Sequence, residues 1–84
     1  MKIKVIKNKN IDNYKSWQIW KCDPSTFNWA YTDEEHCYVL EGKVKVIGEV
    51  NTVTIETGDY VIFPKGLNCV WEVSKPIKKH YTFK

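Results

Sequence analysis

Gly58-Asp59-Tyr60-Val61-Ile62-Phe63-Pro64-Lys65-Gly66-Leu67-Asn68-Cys69 is the stretch on which the fold reading turns. Thr57-Gly58-Asp59 is turn material, Tyr60 to Phe63 is a short β-prone run, and Pro64-Lys65-Gly66 predicts a tight turn. Cys69-Val70-Trp71-Glu72-Val73 then alternates with a period of two, as a strand does. Working outward, the same pattern recurs. Ile3 and Val5, with Ile11, suggest an opening strand, and Asn8-Lys9-Asn10 and Asp12-Asn13 suggest turns. Trp17 to Lys21 is β-prone, and Asp23-Pro24-Ser25 predicts a turn. Phe27 to Tyr31 alternates large aromatic with small or polar residues, and Thr32-Asp33-Glu34 breaks the alternation. His36 to Leu40 reads as a buried run, and Glu41-Gly42-Lys43 is expected to turn the chain. Gly48 marks a second break, before the strand Val53-Thr54-Ile55. Lys75-Pro76 is expected to separate one strand from a last one, Ile77 to Phe83. Many short strands with turn signals every eight to twelve residues indicate an all-β sandwich or barrel, in one domain over residues 1–84.

Composition narrows the function classes. The chain has 84 residues and a formal net charge of +3, and all 13 of its basic residues are lysines. Arginine supplies the bidentate contacts to phosphate and guanine, so its absence, with the lysines scattered, argues against nucleic acid as a partner. The three cysteines, Cys22, Cys37 and Cys69, are odd in number and lack the C-x-x-C spacing of a disulfide framework or zinc ribbon. Reduced thiols point to a cytoplasmic location. No apolar run of signal-peptide or membrane-spanning length is present, so no membrane is expected as a partner.

Four strings carry a resemblance. They are Phe27-x-Trp29, Glu35-x-Cys37-Tyr38-Val39-Leu40-Glu41-Gly42, Gly58-Asp59 through Phe63-Pro64-x-Gly66-Leu67-x-Cys69-x-Trp71, and Lys79-His80-Tyr81. From about Trp17 to Tyr81 the chain resembles the small single-domain cupins, RmlC-like jelly rolls. It is most similar to short cupins related to ureidoglycine aminohydrolase and to an ethanolamine-utilisation protein. The resemblance implies one cupin jelly-roll barrel, a double-stranded β-helix with little or no helix.

Cupins share two motifs, G-x5-H-x-H-x3,4-E-x6-G and G-x5-P-x-G-x2-H-x3-N, whose three His and one Glu hold a divalent ion in metal-binding members. On this chain the Glu falls on Glu35, six residues before Gly42, while the first two His positions hold Trp29 and Tyr31. Asp23 stands where the first motif opens with Gly. Gly58, Pro64 and Gly66 keep the second motif, Cys69 replaces its His and Val73 its Asn. One carboxylate and one thiol are only two donors, where transition metals need several. No metal set is therefore assigned. A zinc, iron or nickel ion, if held, would use Glu35 and Cys69, with Tyr31, Cys37 or His80 adding a donor.

The expected site is an aromatic pocket around Glu35 and Cys69. Glu35, Cys69 and Tyr31 are its candidates for acid–base or nucleophilic work. Trp29, Cys37, Phe63, Trp71 and His80 are its candidate ligand-binding residues, and Trp17 and Trp20 are left to the barrel end or a dimer seam. Three functions fit this reading. The first is binding of a small molecule. The second is a metal-dependent enzyme acting on a small amine, ureide or sugar-like compound. The third is a non-catalytic structural or regulatory barrel, with a homodimer expected through the Ile3–Val5 edge.

Overall fold

The computed structural model describes residues 1–7, 9 and 13–84. Ile11, expected to extend the opening strand, and the expected turn residues Asn8, Asn10 and Asp12 lie outside the described residues. The described residues form seven strands: β1 (Lys4–Ile6), β2 (Gln18–Cys22), β3 (Ser25–Ala30), β4 (Glu35–Ile47), β5 (Thr52–Glu56), β6 (Tyr60–Phe63) and β7 (Asn68–Phe83). One 3-10 turn, Tyr14–Ser16, lies between β1 and β2. All pairings are antiparallel, and the strands form one sheet in the order β1-β6-β4-β7-β2, with β3 on β7 and β5 on β4. The fold is an all-β jelly-roll barrel. Among the described residues, no helix is long and apolar enough to cross a membrane.

Two long strands organise the sheet. The first half of β4 lies between β6 and the last half of β7, and its second half lies between β5 and the first half of β7. β3 and β2 pair in turn with the first and last parts of β7. Two expected breaks are therefore corrected. Glu41-Gly42-Lys43 does not reverse the chain, and Lys75-Pro76 does not end a strand. Both lie inside continuous strands, at a run of register shifts between Val39 and Val44.

The shift changes which residues face inward. Glu35, Cys37 and Val39 are buried before it, and Val44 and Val46 after it, so β4 passes from odd to even inward positions. β7 makes no such change: Cys69, Trp71, Val73, Ile77 and Lys79 are all buried. A one-residue bulge has this effect, because strand side chains alternate with a strict period of two. Gly42 allows it. Its φ is +104°, and a Cβ there would lie 2.7 Å from the Ile77 Cα and closer still to the Pro76 carbonyl oxygen. Pro76, itself exposed, stands where β7 bends against that glycine.

The turns on either side of β6 form as the glycines predict, with Gly58 at φ +91° and Gly66 at +86°. Asp59, 2% exposed, accepts the Glu56 backbone N–H at 2.9 Å and pairs with the Lys7 ammonium at 2.8 Å. The Asn51 side chain accepts the Ile3 N–H and donates to the Ile3 carbonyl, both at 3.0 Å, tying the N-terminal segment to the β4–β5 loop. Cys37 sits in the core with no exposed surface, and burial pushes its thiol up from 9.0 to about 12.

Two predictions follow from this packing. Gly42→Ala should cost about 1–3 kcal/mol in urea unfolding, from backbone strain and the clash with Pro76. Gly58→Ala, with open space around its Cβ, should cost less. An equal or smaller loss at Gly42 would count against the bulge as the closing point. The second concerns pH. The folded chain keeps the Cys37 proton to a higher pH than the unfolded chain does. The stability it contributes is complete below 9.0 and is lost as pH rises toward about 12, at up to about 1.4 kcal/mol per pH unit. Urea midpoints should fall more steeply across that window in the wild type than in Cys37→Ala, and parallel curves would refute the assignment.

Candidate functional site

A cavity of about 150 Å³ opens between β2, β3, both parts of β7 and the start of β4. The inward parity of β7 brings Trp71, Lys79, Tyr81 and Phe83 to it from one strand. Glu35, first residue of β4, faces them from the neighbouring strand. Trp20 on β2 stands opposite Lys79, and Phe27 on β3 stands opposite Trp71. Trp29 and Tyr31 complete the lining, and the half-exposed rings of Trp29 and Phe83 stand at the rim.

Lys79 and Glu35 bring the charges to the cavity lining. Lys79 is 4% exposed, and its Nζ donates to Glu35 Oε2 at 2.6 Å, with Glu35 itself 5% exposed. The same ammonium lies 4.8 Å from the ring centre of Trp71, 5.1 Å from Trp20, and 5.7 Å from both Phe63 and Tyr81. Ring faces are electron-rich, so these aromatics hold the cation where water cannot. Stripping water from both charges is costly, and the pair persists because each is the other's counter-ion.

The aromatic wall is continuous. Tyr31 stacks on Phe63 at 4.7 Å, Phe63 meets Trp71 at 5.7 Å, and Trp71 meets Phe27 at 6.0 Å and Trp20 at 5.7 Å. Burial, with a smaller contribution from the Glu35 charge, raises the Tyr31 hydroxyl far above the usual phenol range, so it stays protonated. Burial also raises the Cys69 thiol. The Trp71 indole N–H eases the ionisation of both groups slightly. Even so, it meets no acceptor with hydrogen-bonding geometry among the described residues.

Of the expected site residues, Glu35, Tyr31, Trp29 and Trp71 line the cavity, and Phe63 packs behind it against Tyr31 and the Lys79 ammonium. Three do not. Cys69 is not the neighbour of Glu35 in the cavity. Its Sγ lies 3.6 Å from the Trp29 carbonyl, and it borders a separate, more open depression with Asn28 and Gly48. Cys37 is fully buried in the core. His80 faces away, because it is one step along the strand from inward Lys79. Its Nδ1 meets the Trp17 carbonyl at 3.2 Å, and its ring packs against Tyr14. Trp20, set aside in the sequence reading, lines the cavity instead. Lys79 belongs to the string Lys79-His80-Tyr81, and the alternation Ile77-Lys79-Tyr81 sets it with the inward residues.

The donors do not fit the divalent metal that the cupin resemblance implies. Two of its histidine positions hold Trp29 and a protonated Tyr31, and the Glu35 carboxylate is engaged by an ammonium. Among the described residues, no three His, Cys, Asp or Glu side chains come together. A second cation beside Lys79 would meet a fixed positive charge in a poorly solvated space.

Relatives share this scaffold. A family model described as EutQ-like cupin domain matches residues 11–81. A DUF861 family protein from Thermotoga maritima, solved by crystallography, is 39% identical over 99% of this chain and 100% of its own length, with a TM-score of 0.92. A putative ethanolamine utilization protein Q from Salmonella typhimurium is 27% identical over 75% of this chain, with a TM-score of 0.68. The Clostridium difficile EutQ protein, at 24% identity over 75% of this chain and a TM-score of 0.69, shares the fold. The chain spans about half the length of those two, 51% and 50%. No curated protein matches it. The chain therefore belongs to the EutQ-like cupin family.

Proposed function

We propose that this domain binds a small, uncharged, flat-faced compound in the aromatic cavity, without a metal. The observation that carries this reading is the Lys79–Glu35 pair, which brings both signs of charge into the cavity and cancels them. An anionic ligand would have to compete with Glu35 for Lys79. A cationic one would have to displace the ammonium from its rings. Either leaves one buried charge unpaired, at a cost of about 3–5 kcal/mol. A neutral ligand leaves the pair intact.

The lining supports the same class. Rings on several sides favour a planar or ring-shaped molecule, and a cavity of roughly 150 Å³ holds about one six-membered ring. The protonated Tyr31 hydroxyl is a donor suited to a carbonyl or hydroxyl oxygen. Amides, ureides and small sugar-like compounds meet these requirements, and free amines do not. The three unpaired thiols favour a reducing, cytoplasmic setting.

Tryptophan fluorescence titration tests the charge argument. Benzamide and phenylurea should bind at least about a hundredfold more tightly than benzoate or benzylamine, as one buried charge left unpaired requires. Charged compounds binding as well as neutral ones would overturn it. Tyr31→Phe should weaken benzamide binding by about tenfold, the effect of one buried hydrogen bond. Glu35→Ala should destabilise the fold by about 3–5 kcal/mol, and Glu35→Gln with Lys79→Met should recover most of that loss. Metal analysis after growth with added zinc, iron and nickel should find well under one equivalent. A full equivalent bound would refute the metal-free reading.

A further inference from the structure

We propose that Lys79 captures a small aldehyde or ketone as an iminium, with Glu35 moving the proton. The inference rests on the cavity being the binding site, and it narrows the ligand to a carbonyl compound that reacts there.

Three observations support it. First, Lys79 is a primary amine on the wall of a cavity of about 150 Å³, not a surface lysine pointing into water. Second, a carboxylate stands 2.6 Å from its nitrogen, within direct proton-transfer distance, and lines the same cavity. Third, the surroundings of that nitrogen are complementary to a cation, with Glu35 on one side and the rings of Trp71 and Trp20 at 4.8 and 5.1 Å. Most lysine reactions destroy the positive charge and would strip these partners of their role. Iminium formation preserves it. The charge stays on the same nitrogen, beside the same carboxylate, and spreads onto a carbon that the ring faces can also stabilise.

The step balances without a further reactant. Glu35 takes a proton from the Lys79 ammonium and frees the nitrogen lone pair. The nitrogen attacks the carbonyl carbon, forming a C–N bond, and the carbonyl oxygen gains a proton from nitrogen to give a carbinolamine. Glu35 returns its proton to that hydroxyl, the C–O bond breaks and water leaves. The nitrogen lone pair forms the iminium double bond. Overall, ammonium and carbonyl become iminium and water, and Glu35 ends as the carboxylate it began as. The aromatic wall limits access of other water to the product, and the space suits a single ring or a short chain.

Lys78 provides the internal control, since it is adjacent in sequence and lies on the opposite face of β7. The full chain is incubated with benzaldehyde and cyanoborohydride, which reduces only an iminium already formed, and the alkylated lysines are mapped by peptide fragmentation. Lys79 should be modified at least about tenfold faster than Lys78, and excess benzamide should slow modification at Lys79 alone. Glu35→Gln should slow Lys79 modification about a hundredfold, the usual scale for loss of a positioned acid–base group. Lys79→Arg, which keeps a cation beside Glu35, should abolish it. Equal modification of Lys78 and Lys79, or an unchanged rate in Glu35→Gln, would overturn the proposal. Benzyl alcohol titrated by NMR separates this result from the underlying reading. If it perturbs the Trp71 indole resonance while Lys79 stays unmodified, imine chemistry is refuted and the binding cavity stands. If it does not bind either, both fail together.

Discussion

The close approach of Gly42 to Pro76 is the constraint on which the barrel depends. β4 and β7 run the length of the molecule, and a flat sheet of that length could not enclose a core. At Gly42 the register shifts by one residue and β4 changes its inward face, while β7 keeps its own. The two halves of the sheet can then present different sets of side chains to one interior. The second half of β4 supplies Val44 and Val46 to the packed core. Its first half points Glu35 at the cavity. Had the shift not occurred, one half would have turned its valines to solvent.

The site follows from that geometry. Lys79 reaches the interior because it keeps to the same face of β7 as Ile77, and Glu35 reaches it because it precedes the shift on β4. Aromatics arrive from β2, β3 and β7 at the same level, where the cross-strand pairs Trp20–Lys79 and Phe27–Trp71 align them. At the three positions where metal-binding cupins place imidazoles, this chain places Trp29, Tyr31 and Cys69. Glu35, the one motif carboxylate retained, pairs with the Lys79 ammonium.

Much of the fold was legible in the sequence. Gly58 and Gly66 marked real turns, the residues Tyr60 to Phe63 form β6 as read, and the alternation from Phe27 marked β3. The misreadings at Gly42 and Pro76 share one physical cause. Glycine and proline mark any departure from regular strand geometry, and a bulge within a strand uses the same residues as a reversal between strands. Only long-range pairing tells them apart. The site was half legible. Motif position set Glu35, Tyr31, Trp29 and Trp71 together, and they line one cavity, whereas Cys69 borders another depression and Lys79 lies outside the motifs. A lysine in a run of lysines resembles solvated surface, yet the parity from Ile77 to Tyr81 already set Lys79 with the inward residues and His80 with the outward ones.

The Lys79–Glu35 pair also shapes how the domain responds to heat. The free energy of hydrating charged groups becomes less favourable as temperature rises, so the cost of keeping an ammonium and a carboxylate out of water shrinks. The stabilisation from buried apolar surface levels off over the same range. The charged end of the cavity is thus the part of this small barrel whose thermodynamic footing improves on warming.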